Sequence, residues 1–81
     1  MEIIIELNGY CIETAVKKRY EYLVSRLLKM NDENLEQELE FLLEFLKKSD
    51  FSKLRMMGFD GRKKMKVKIF KKSEGFEVVE I

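Results

Sequence analysis

An α+β fold is what the sequence predicts: an N-terminal strand, two main helices, then a C-terminal antiparallel hairpin or three-stranded meander. Three patterns predict it. Ile3, Ile5 and Leu7 alternate with Glu2 and Glu6, as a half-buried strand does. Leu35, Leu39, Leu42 and Leu46 recur at helical spacing. Met65, Val67 and Ile69 alternate strictly with Lys66 and Lys68. A chain of 81 residues has apolar material for one small core, so residues 1–81 are read as a single domain.

The first strand runs from Glu2 to Leu7, with Ile4 making its second face partly apolar. Asn8-Gly9 then allows two continuations. As a type I′ turn it would pair Leu7 with Tyr10 and Ile5 with Ile12. As a strand-to-helix turn it would open a helix from about Cys11 to Met30. Ile12, Val16, Tyr20, Leu23, Leu27 and Met30 follow one helical stripe, which favours the helix. Asn31 to Asn34 is a connection rich in capping residues, and Asn34 with Gln37 reads as a capping box.

The second helix is expected over 33–48. Glutamates crowd its start and Lys47-Lys48 close it, as the helix dipole favours. Phe41 and Phe45 widen its leucine stripe beyond what one sheet face needs. The helix is either wedged between the first helix and the sheet, or it meets a second subunit through these phenylalanines.

Residues 50–59 also read two ways. Ser49-Asp50 can cap a short helix ending near Met57, with Gly58 just past its end. Alternatively Lys53 to Phe59 is a strand that turns at Asp60-Gly61 and pairs Leu54 with Val67 and Met56 with Met65. Beyond it lie the strand around Met65–Ile69, a polar loop over 71–75, and a closing strand over 76–81.

Composition excludes several function classes. There is no histidine, tryptophan or proline and only one cysteine. That removes Ser-His-Asp and Cys-His catalysis and His-liganded zinc, and it removes an internal disulfide. No phosphate-binding GxxxxGK or dinucleotide-binding GxGxxG motif occurs, since Gly9, Gly58, Gly61 and Gly75 all fall at expected turns. Cys11 has no histidine partner, only Tyr10 and Glu13 near it in sequence, with nothing but a helix N-terminus to lower its pKa, and it reads as a small core residue. The helix carboxylates read as a solvated face, and Asp32, Asp50 and Asp60 as caps or turn residues. No catalytic centre, metal or small-molecule cofactor is therefore expected. No signal-peptide pattern, membrane span or prenylation box is read, so a cytoplasmic protein without a membrane partner is expected. The abundance of Lys and Glu resembles a hyperthermophile's usage, and equally a low-GC mesophile's.

Charge is divided unevenly. Residues 1–52 hold seven Lys and Arg against eleven Asp and Glu, a net −4. Residues 53–81 hold nine against four, a net +5, and the whole chain carries +1. Within 62–72, seven of eleven residues are cationic. On a strand Lys64, Lys66 and Lys68 share one face, and Phe70 continues it. Under the hairpin reading Arg55 and Phe59 join that face, beside Arg62. Cations interleaved with aromatics on an open sheet are what phosphate contact plus base stacking require. The candidate nucleic-acid contacts are thus Arg55, Phe59, Arg62, Lys64, Lys66, Lys68 and Phe70, binding without sequence specificity. Two other readings stand beside this one: lysines that protect a strand edge from aggregation, or lysines that face the acidic second helix. The alternative function is a protein-interaction module or homodimer acting through the acidic helix over 33–48, with Phe41 and Phe45 as its contacts.

One local pattern resembles a known family. Leu54 to Phe59 ahead of the basic hairpin over 64–81 resembles the recognition-helix end and wing of winged-helix DNA-binding domains. The leading strand here precedes the first helix instead of following it, and no functional residue is carried over.

Overall fold

The computed structural model describes residues 1–81. Its elements in chain order are β1 (Glu2–Leu7), α1 (Ile12–Leu27), α2 (Glu33–Lys48), α3 (Phe51–Met56), β2 (Met65–Lys72) and β3 (Gly75–Glu80). The strands form one antiparallel sheet in the order β1-β2-β3. The architecture is the α+β arrangement expected, with the meander completed by the N-terminal strand.

Asn8-Gly9 leads into a helix. Cys11 is the N-cap residue of α1, and its side chain makes no capping bond. The hairpin register is not used, because β1 pairs instead with β2: Ile3 lies opposite Ile69, Ile5 opposite Val67 and Leu7 opposite Met65. Helix α1 stops at Leu27, short of the expected Met30. Leu28 and Met30 are 84% and 42% exposed, so no burial holds a further turn. At α2 the boundaries agree with the sequence, but the cap is Asp32, whose carboxylate accepts from the Asn34 N–H at 2.9 Å. Asp32 stands directly before the first helical residue, where a cap must lie to reach the orphan N–H groups.

Residues 50–59 take the helical alternative. Asp50 caps α3 by accepting from the Lys53 N–H at 3.1 Å, and Gly58 follows with φ +106°. The strand alternative fails because both edges of β2 are taken, by β1 and by β3. The hairpin over 65–80 is thus the sheet that backs the core, not a projecting wing. Its turn is tighter than the polar loop expected, with Lys72 already opposite Gly75.

Strand alternation decides which side chains enter the core. Ile3, Ile5, Leu7, Val67, Ile69 and Val78 point towards the helices and are buried. From α1 come Ile12, Ala15, Val16 and Leu23, and from α2 come Phe41, Leu42 and Phe45. Phe76 of β3 meets Phe41 and Phe45 edge-on, with ring centroids 5.3 and 5.4 Å away, and Phe51 of α3 meets Phe45 at 5.6 Å. The phenylalanine flank of the α2 apolar arc is therefore used up inside the fold, while Leu43 on the other flank is 37% exposed. Phe41 and Phe45 are 7% and 0% exposed, which corrects the expectation that they meet a second subunit.

Helices α1 and α2 are also clamped by charge. Arg19 Nε donates to Glu38 Oε2 at 2.6 Å and Nη2 to Oε1 at 3.2 Å, a two-pronged pair. The Glu38 carboxylate beside it raises the Arg19 guanidinium above its ordinary range. The pair is only part-buried, so a double-mutant cycle of Arg19→Ala and Glu38→Ala is expected to give a coupling of about 1 kcal/mol, reduced in high salt. Chemical denaturation of the four proteins measures it.

Candidate nucleic-acid interface on the open sheet face

The face of the sheet turned away from the helices carries the even-numbered residues of β1 and β2 and the odd-numbered residues of β3. Cross-strand register sets them in rows. Ile4, Lys68 and Val79 form one row, and Glu2, Phe70 and Glu77 the next. At one end Glu6 lies beside Lys66, whose carbonyl accepts from the Ile81 N–H at 2.9 Å. Read along the strands, the face is a column of lysines on β2 between two columns that carry glutamates.

Those glutamates reach the lysines. Lys66 Nζ lies 3.9 Å from Glu6 and Lys68 Nζ 3.8 Å from Glu2, while Lys72 pairs with Glu77. Lys72 also sits over the Phe70 ring, 5.9 Å from its centroid. The contacts from β1 are long and solvent-exposed, of the kind worth about 0–1 kcal/mol each, so an incoming anion can compete with them. Between the charges Ile4 and Ile81 are 54% and 53% exposed.

Helix carboxylates stay off this face. The cation of β2 that meets α2 is Lys71, on the helix side, where its Nζ donates to both Glu44 oxygens at 3.0 and 3.1 Å. Lys48 and Lys71 together hold the Glu44 carboxyl below its ordinary range. The suggestion that the lysines face the acidic helix thus holds for Lys71 and not for Lys66 or Lys68.

A protein-family model matches residues 1–80. An uncharacterized protein of Archaeoglobus fulgidus is 55% identical over 85 residues, covering the whole of both chains. The chain belongs to this family. No solved structure matches it.

Within this family member the seven residues singled out from sequence divide into three groups. Lys66, Lys68 and Phe70 stand together on the open face, and exposed Lys64 leads into it from the turn before β2. Arg62 projects from the preceding loop, paired with Asp60 at 3.2 Å. Arg55 and Phe59 are elsewhere, which corrects their grouping with the strand. Arg55 lies on α3 and reaches Glu13 of α1 at 3.4 Å and Ser52 at 3.3 Å. Phe59 is 7% exposed in the core, and its carbonyl accepts from the Ile12 N–H at 3.1 Å. Their place on that face depends on the hairpin reading, which α3 replaces.

Sequence reasoning missed Lys72, Ile4, Val79 and the paired Glu2, Glu6 and Glu77. The alternation of β1 was the available signal for Glu2 and Glu6, but their partner strand was not identifiable from it.

Other chemistry-bearing groups are sparse. Cys11 Sγ lies 3.4 Å from Thr14 Oγ1, and hydrogen bonds from the Thr14 side chain and backbone hold the thiol below its ordinary range. No three His, Cys, Asp or Glu side chains converge as a metal-ligand set requires. No helix is long and apolar enough to cross a membrane.

Proposed function

We propose that the protein is a non-catalytic binding module that takes the backbone of a nucleic acid across the open face of its sheet. The supporting observation is that Lys66, Lys68, Phe70 and Lys72 share the sheet face that carries no helix and no helix carboxylate. Lys66 and Lys68 give phosphate contacts about 7 Å apart along the strand, Lys72 a third about 13 Å further on, and Phe70 between them offers a ring for stacking. The glutamates of β1 temper the field, so affinity is modest and sequence preference slight. A protein partner on Phe41 and Phe45 has no surface to use, since both rings are in the core.

A salt titration of binding to mixed DNA and RNA oligonucleotides tests the reading. Contacts from Lys64, Lys66, Lys68 and Lys72 to single strands should give a log–log salt slope of about −2 to −3. Lys66→Gln with Lys68→Gln should bring the slope about 1.4 closer to zero. Glu2→Gln with Glu6→Gln should tighten binding, because it frees the same lysines. Absence of binding at low ionic strength, or binding indifferent to both pairs of changes, overturns the proposal.

A further inference from the structure

The outer edge of β3 has no partner in the chain, and its register fits a second copy of itself. Ile81 donates to Lys66, so the hydrogen-bonded pairs of this ladder are 66 with 81, 68 with 79, 70 with 77 and 72 with 75. The N–H and C=O groups of Phe76, Val78 and Glu80 therefore point away from β2. None of them bonds to any loop or cap. The strand has no proline, no lysine and no bulge to blunt its edge, and its charges are the two glutamates Glu77 and Glu80.

Beside this edge, on the helix side, lies a groove of about 350 Å³ between β3 and α3. Leu54, Met57, Phe76 and Val78 supply apolar lining, and Lys48 and Lys53 its cations, with the carboxylates of Asp50, Glu74 and Glu77 also on its wall. Met57 is 58% exposed at this groove. Lys53 forms no ion pair within the chain, and neither does Glu80 at the far end of the strand.

We infer that two copies pair antiparallel through β3, about a two-fold axis at Val78. In that register Phe76 exchanges backbone bonds with Glu80 of the second copy, Val78 with its counterpart, and Glu80 with the second copy's Phe76. All the outward-pointing groups are satisfied at once. The second copy's Glu80 side chain then lies beside Phe76, at the groove that Lys48 and Lys53 line. At the other edge of the sheet the corresponding central register is opposed by charge. Self-pairing of β1 about Ile4 would set Glu2 directly against Glu6 of the second copy, and like charges opposite each other destabilise a sheet. The β3 pairing joins the sheets into one of six strands with both lysine columns on the same side. It does not depend on nucleic acid being the ligand.

Sedimentation equilibrium of the full chain without nucleic acid tests the inference. Glu80→Pro removes an outward N–H without touching the bonds to β2 and is compatible with an edge strand. It should weaken the dimer about tenfold or more. Its circular dichroism should match the parent's. Glu80→Lys should weaken the dimer as well, and adding Lys53→Glu should restore it to within about threefold. A monomer at every concentration up to about 0.5 mM, where even a weak dimer with a millimolar Kd would be visible, overturns the inference. So does a dimer that Glu80→Pro and Glu80→Lys leave unchanged, since it would use another surface.

Discussion

Phe45→Ala is expected to destabilise the protein by about 3–5 kcal/mol, the range for deleting a fully buried ring. Phe45 is 0% exposed and is held edge-on by Phe51 and Phe76, so its loss opens a cavity where α2, α3 and β3 meet. A domain of this size has about 5 kcal/mol or little more to lose, and the variant should be substantially unfolded at 37 °C. Urea unfolding followed by circular dichroism measures the loss. Leu43→Ala on the same helix, at a side chain 37% exposed, provides the comparison and should cost under about 1 kcal/mol. Equal losses for the two variants would contradict the core assignment of Phe45.

Gly61→Ala should cost about 2–4 kcal/mol for a different reason. Gly61 has φ +87°, where a β-carbon is already penalised by about 1–2 kcal/mol. A β-carbon there would also come within 2.5 Å of the Tyr10 carbonyl carbon and 2.7 Å of the Cys11 nitrogen. Those atoms are backbone at the entry to α1 and have little freedom to yield. Moving the turn apart would strain the Ile12 N–H to Phe59 carbonyl bond that docks it, adding about 0.5–1.5 kcal/mol. Gly9→Ala separates the two contributions. Gly9 has a similar φ of +83° with nothing within 4 Å, so its variant should show the backbone cost alone, about 1–2 kcal/mol. If both variants unfold at the same urea concentration, the close approach of the two turns is wrong.

The elements that the sequence made legible are those whose periodicity admits one answer. The leucine stripe of α2 and the lysine alternation of β2 are of this kind, and both occupy nearly the expected residues. Residues 50–59 were not, because Leu54 and Met56 satisfy a strand pattern while Asp50 and Gly58 satisfy a helix pattern. Competition for the edge of β2 decided between them. β1 sets three apolar side chains, Ile3, Ile5 and Leu7, opposite Ile69, Val67 and Met65, where the strand alternative would set two, Leu54 and Met56. That contest is settled across some sixty residues of sequence, beyond the reach of local pattern.

The candidate site shows the same division. Lys66, Lys68 and Phe70 follow from strand alternation alone. The pairing of Lys66 with Glu6 and of Lys68 with Glu2 depends on which strand lies alongside, and so do the departures of Arg55 and Phe59. The breadth of the α2 arc is legible in its spacing, but what covers Phe41 and Phe45 is not: Phe76 and Phe51, from distant parts of the chain, fill the place a second subunit would take.

The pairing of the first strand with one so late in the chain has a consequence for synthesis. Leu7 completes β1, and β2 is complete only at Lys72, 65 residues later. At ribosomal speeds of about 5–20 residues per second, the strand waits roughly 3–13 s for its neighbour. Throughout that interval a nascent segment with three consecutive isoleucines is free to associate with other chains on the same message. Glu2 and Glu6 bracket those isoleucines and act as gatekeepers while the polypeptide is still growing.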